Sequence, residues 1–111
     1  MKRKPAVLRA RADADIEAAI AYTRTAHSPT TALALLDALE QAFVLLGEQP
    51  GVGSPRYAEL LDLPGLRVWS LSGYPYLVCY LERADHLDIW RVLHAKRDIP
   101  TSLRDPDSEI G

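Results

Sequence analysis

LPGLRVWSLSGYPYLVCYLERADHLDIWRVLHAKRDIP, residues 63–100, contains three strand-like runs separated by short turns, and its reading decides the fold. In the first run Leu66, Val68 and Ser70 alternate with Arg67, Trp69 and Leu71, the period of two that a pleated strand imposes. Ser72 and Gly73 supply a turn. The second run, from Pro75 to Glu82, is apolar on both faces and rich in aromatic and β-branched residues, as suits a central strand with one face covered and the other functional. Arg83, Ala84 and Asp85 form a polar connection. A third run, Leu87 to His94, sets Leu87, Ile89, Arg91 and Leu93 against Asp88, Trp90, Val92 and His94. Two successive hairpins make an antiparallel meander.

Upstream the period changes. Ile16, Ala19, Ile20 and Thr23 recur at helical spacing, with Asp13, Asp15 and Glu17 in a first turn where the helix dipole favours negative charge. This helix ends near Ala26. Ser28 followed by Pro29 is an N-cap with proline at the first helical position, and it starts a second helix. Leu33, Leu36, Leu39, Phe43 and Leu46 form its apolar stripe, flanked by Leu35, Ala38, Ala42 and Leu45, and read as core; Gly47 is placed to end the helix. Ala6, Val7 and Leu8 form a short first strand. Between residues 48 and 65 Pro50, Gly51, Gly53, Pro55 and Pro64 mark a loop, with a helical turn at 57–61. The fold class is α+β: an N-terminal strand, then a helical hairpin packed on a small antiparallel β-sheet, in the order β-α-α-β-β-β. Residues 1–111 are expected to form one domain with a loosely ordered tail from about residue 101.

Composition narrows function. The chain has 111 residues and a net charge of −2. Asp105, Asp107 and Glu109 lie in its last seven residues, so the remainder balances 13 basic groups against 12 acidic ones. Such balance argues against an extended phosphate-tracking surface. The longest charge-free stretch, Val68 to Leu81, falls short of the roughly 20 apolar residues of a membrane span, so no membrane segment is expected. Charges interrupt the N-terminal residues where a secretory signal would need an apolar core, so the cytoplasm is the expected compartment. Cys79 reads as a small buried hydrophobe.

Candidate sites follow from position. His94, Lys96 and Arg97 lie at the exit of the last strand, where side chains leave the sheet and can converge on a concavity. Their alternative role is structural, with Arg97 paired to Asp98 and His94 capping strand ends. Arg67 shares a face with Trp69, and its structural reading is an ion pair with Glu82 or Asp88. Arg91 divides the same way between a buried ion pair and a ligand contact. Tyr76 and Tyr80 project from one face, either packed or as a stacking platform. No metal-spaced His/Cys set, phosphate loop or paired catalytic carboxylates are visible, so no metal or cofactor is expected.

These residues also carry a resemblance. Ala12, Asp15, Ile16, Ile20 and Tyr22, then Phe43, Leu46 and Pro50, then the runs LPGLR at 63–67, YLVCY at 76–80 and RVLHAKRDIP at 91–100 together resemble the RelE/ParE toxins, over roughly residues 6–100. The last run is nearer the ParE branch. The resemblance implies a toxin of a type II toxin-antitoxin module, encoded with a ParD-like, ribbon-helix-helix antitoxin that neutralises it and alone contacts operator DNA. A ParE-like member inhibits DNA gyrase and blocks replication by binding, not as an enzyme. The alternative is a RelE-like ribosome-dependent mRNA endoribonuclease, whose catalytic set here would be Arg97, His94 and Tyr80. Such nucleases place basic residues on the central strand, and YPYLVCYL has none. The expected toxicity surface is therefore His94, Lys96 and Arg97, supported by Arg67 and Arg91.

Overall fold

A computed structural model describes residues 3–104. Its elements are β1 (Ala6–Leu8), α1 (Ala10–Ala26), α2 (Pro29–Glu48), a 3-10 turn (Pro50–Val52), β2 (Arg67–Ser70), β3 (Tyr76–Glu82), β4 (Leu87–His94) and α3 (Ile99–Arg104). The β-α-α-β-β-β order stands, and β2, β3 and β4 form the antiparallel meander. Gly73, at φ 83°, turns the first hairpin in the left-handed region that suits glycine. The sheet as a whole is mixed, because β1 adds to β4 in parallel and gives the order β1-β4-β3-β2. A three-residue strand carries too little pattern to name its partner in advance.

Residues 101–104 belong to α3 rather than to a loose tail. Asp98 starts that helix: its Oδ1 accepts from Thr101 N at 3.2 Å and its carbonyl from Ser102 N at 2.9 Å. Ile99 and Leu103 are buried beneath it. The rest of the expected tail, residues 105–111, lies outside the described residues.

Both faces of the sheet are covered. On one, α1 and α2 pack through Ala12, Ala19, Leu35, Leu39, Ala42 and Leu46 against Tyr76, Val78, Tyr80, Leu87, Ile89 and Val92. On the other, α3 and the turns of residues 57–63 close over Val68, Leu77, Cys79, Trp90 and Leu93. The central strand therefore has no open functional face. Strict alternation also fails on β4, where Val92 joins Leu87 and Ile89 while Leu93 joins Trp90 on the opposite side. A bulge is the cause, since Cys79 pairs with Arg91 but Tyr80 pairs with Ile89, which leaves Trp90 as the extra residue.

Helix α1 packs on the expected face, with Ala19 and Thr23 buried and Ile16 and Ile20 against the core, but α2 differs in phase. Ser28 caps α2 as read, accepting from Thr31 N at 3.0 Å with Pro29 at the first position. The buried face, however, is Ala32, Leu35, Leu39, Ala42 and Leu46; Leu33 is 69% exposed, Leu36 38%, and Phe43 only half-buried. The broad stripe admitted either phase, and the buried one joins Leu35, Leu39 and Leu46 to the small Ala32 and Ala42. Gly47 does not end α2 but lies inside it, where Lys4 N donates to its carbonyl at 3.0 Å. A Cβ there would run into the Lys4 carbonyl and come within 2.7 Å of Arg3 Cγ. By length and composition alone α2 is long and apolar enough to cross a bilayer, although Asp37 and Glu40 interrupt its apolar run. In this fold it is the core helix.

Asp88 on β4 accepts from Arg9 Nε and Nη2 at 2.9 Å each and from Arg83 Nη2 at 2.9 Å. Burial pushes its pKa up, but these two guanidiniums outweigh it and hold the carboxyl below the ordinary value. A carboxylate with a depressed folded pKa stabilises above its unfolded value, about 3.9, and loses that contribution as pH falls through the folded one. Asp88→Asn should therefore flatten the acid limb of a pH-stability curve below about pH 4, measured by urea denaturation. In the same assay Leu39→Ala should cost about 2–5 kcal/mol and Leu33→Ala under about 0.5 kcal/mol, the reverse of what a core phased on Leu33 would give.

Candidate functional site

The chain leaves β4 beside α1, and the space between them is a cleft of about 300 Å³ lined by Asp15, Ala18, Ala19, Tyr22, Tyr76, Val92, His94 and Arg97. Asp15, Ala18, Ala19 and Tyr22 stand at i, i+3, i+4 and i+7, so one helical face forms a whole wall. Thr23, His27, Thr31, Tyr74 and Pro75 extend the depression into an adjoining, more apolar hollow that shares Tyr22, Tyr76 and His94.

The wall opposite α1 is held from beneath. Arg91 is 1% exposed, and its Nε and Nη2 donate to Asp15 Oδ2 and Oδ1 at 2.7 and 2.9 Å. Its Nη1 reaches Ser102 O of α3 at 3.3 Å. Asp15 Oδ2 also accepts from Val92 N at 3.0 Å. The β1 ladder has stopped by then, its last contact being Arg9 N to Ile89 O, so a side-chain carboxylate continues what the strand leaves off. Arg91 thus supports the sheet through a buried ion pair. Asp15 is the residue that sequence reasoning missed, having been credited only with a helix-dipole role.

His94, Lys96 and Arg97 do come together at the strand exit. The His94 ring meets Tyr76 edge-on, with centroids 5.3 Å apart at 75°. Its Nδ1 accepts from Lys96 N at 3.1 Å, and its carbonyl accepts from Arg97 N at 3.0 Å. This tight turn throws the Lys96 and Arg97 side chains outward; both are exposed, and neither has a charged partner among the described residues. The local Arg97–Asp98 pair does not form, because Asp98 is occupied with α3.

Two other candidates lie away from the cleft. Arg67 Nη1 donates to Gly53 O at 2.7 Å, not to Glu82 or Asp88, which are taken by Lys4 and by Arg9 with Arg83. Tyr80 is fully buried; its hydroxyl accepts from Gly53 N at 3.0 Å and donates to Pro50 O at 2.8 Å. A Cβ at Gly53 would come within 2.5 Å of that oxygen. Burial is the largest influence on the Tyr80 phenol and raises its pKa. Arg67 and Tyr80 therefore pin the loop of residues 50–53 to the sheet, and Tyr80 cannot reach a substrate alongside His94 and Arg97. Cys79 is the buried hydrophobe expected, its thiol pushed up to about 12 chiefly by burial.

With this geometry in view, a solved structure described as the chromosomal ParDE TA system from P. aeruginosa contains a chain of the same fold. The two match with a TM-score of 0.71 at 19% identity, over 85% of this chain and 98% of that one. No curated protein matches. A family model described as the ParE toxin of type II toxin-antitoxin system, parDE, matches residues 6–99. The class is thus a toxin of a type II toxin-antitoxin system. Within that class, the chain belongs to the ParE toxin family.

Removing one partner of the Asp15–Arg91 pair strands a buried charge. Asp15→Ala should lower unfolding free energy by about 3–5 kcal/mol, whereas Lys96→Ala should change it by under about 0.5 kcal/mol, as read by denaturant titration.

Proposed function

We propose that this ParE toxin inhibits DNA gyrase and so blocks replication, acting by binding rather than as an enzyme, with His94, Lys96 and Arg97 as the contact surface. The observation that carries this reading is the exposed Lys96/Arg97 rim on a body otherwise close to charge balance. The sheet offers no competing platform, since both faces are buried and β3 bears no basic residue. An electrostatically focused rim suits capture of a protein surface, where a few charges steer the encounter and fix the register. The ribonuclease alternative loses Tyr80 to the loop contacts above.

Neutralisation falls to a ParD-like antitoxin of the ribbon-helix-helix type, which also carries any contact with operator DNA. Two surfaces suit such a chain. Exposed Leu33 and Leu36, with Ile20, Ala32, Pro29 and Arg24, line a hollow of about 230 Å³ on the helical hairpin, a seat for an apolar helix face. Edge strand β2 bridges Ser54 through Val68, so the alternate residue Ser70 turns its backbone groups outward for strand addition. We place the toxin in the cytoplasm, with its target, and take residues 1–111 as one toxin domain.

Purified toxin should block gyrase supercoiling at near-stoichiometric ratios, and Lys96→Glu with Arg97→Glu should raise the half-inhibitory concentration roughly tenfold or more. Normal supercoiling in excess toxin, together with codon-phased cuts on translated mRNA, would overturn the proposal.

A further inference from the structure

Resting on the reading of this cleft as the contact surface, we infer that it is a receptor for one carboxylate side chain, Glu or Asp, of a protein partner. The inference comes from counting which hydrogen-bonding groups around the cleft remain to be satisfied. The carboxylate on the lining, Asp15, is consumed by Arg91 and by Val92 N. His94 uses Nδ1 as an acceptor toward Lys96 N, which leaves the imidazole proton on Nε2 as a donor. Arg97 offers a planar fork of donors with no partner among the described residues, and the hydroxyls of Tyr22 and Tyr76 stand on the same lining. Tyr22 is 62% exposed, so it is open to a visitor.

Buried Arg91 thus turns what would be an acidic hollow into one dominated by donors. A group rich in acceptors is its complement, and the fork of Arg97 selects a flat, bidentate acceptor over a spherical one. Charge decides between the oxyanions. Arg97 is the cation on the lining, Lys96 lying outside it, and one guanidinium offsets a single negative charge. A monoanionic carboxylate matches this better than a phosphate dianion. The adjoining hollow of Tyr74, Pro75 and Thr23 accepts an apolar side chain next to the acid, so the fitting element is a short acidic-apolar segment.

The test uses the whole toxin and needs no gyrase. Acetyl-Leu-Glu-amide, its glutamine analogue and inorganic phosphate are titrated separately while the His94 ring and Arg97 Nε signals are followed by NMR. The glutamyl dipeptide should move both signals saturably, with a dissociation constant at least about tenfold below those of the glutamine analogue and phosphate. Arg97→Gln, checked for folding by circular dichroism, should abolish the response, and Arg56→Gln on the distant loop should leave it intact. Equal binding of the glutamine analogue, phosphate binding as tight as the dipeptide, or no saturable shift each overturns the inference. A positive titration beside normal supercoiling would retain the receptor and remove gyrase as its owner.

Discussion

The Asp15–Arg91 pair is the constraint around which the molecule is arranged. It joins α1 to β4 where the parallel ladder from β1 has run out, and through Ser102 it draws α3 against the far side of the sheet. One carboxylate satisfies a guanidinium and a backbone amide of the adjacent residue, so the helix cannot slide along the strand without leaving both unmet. That sets the width of the cleft. The wall bearing Tyr22 and the wall bearing His94 and Arg97 face each other because their supports are tied together a few residues away. Burying two charges is costly in itself, and the return is a fixed relation between elements that sit at opposite ends of the sequence.

Enclosure of both sheet faces limits what the sheet can display. A small mixed sheet with one open face would display its central strand as a platform, and the tyrosines of β3 would be the obvious furniture. Here Tyr76 and Tyr80 are core residues on the helical side, while Leu77 and Cys79 are core residues beneath α3. What stays exposed is the rim, where turns and strand ends put polar groups next to gaps between elements. His94, Lys96 and Arg97 are available because β4 ends there and because Asp98, one residue on, begins a new helix rather than pairing with Arg97.

Much of this was legible in the residues. The meander, the Ser28–Pro29 cap and the gathering of His94, Lys96 and Arg97 at a strand exit all follow from local pattern and turn chemistry. Other features were not. The phase of α2 could not be chosen because Leu33, Leu36, Leu39 and Leu35 give an apolar surface wider than the buried face needs. The β4 bulge at Trp90 inverts the side-chain faces after Ile89, and nothing local announces it. The partners of Arg67 and Arg91 depended on distant segments, the carbonyl of Gly53 and the carboxylate of Asp15. For Asp15 a clue existed, since it shares a helical face with Ala18, Ala19 and Tyr22, a polar residue among small ones on a face that must pack.

The parallel seat of β1 beside β4 bears on the order in which the chain matures. Ala6, Val7 and Leu8 pair with Leu87, Asp88 and Ile89, and Asp15 waits for Arg91. Contacts of such large sequence separation give a high contact order, and long-range closure of this kind slows folding. During synthesis the helical hairpin can form early, but its strand and its carboxylate stay unmatched until β4 has emerged. Until then the helical face that packs on Leu87, Ile89 and Val92 has no sheet to cover it.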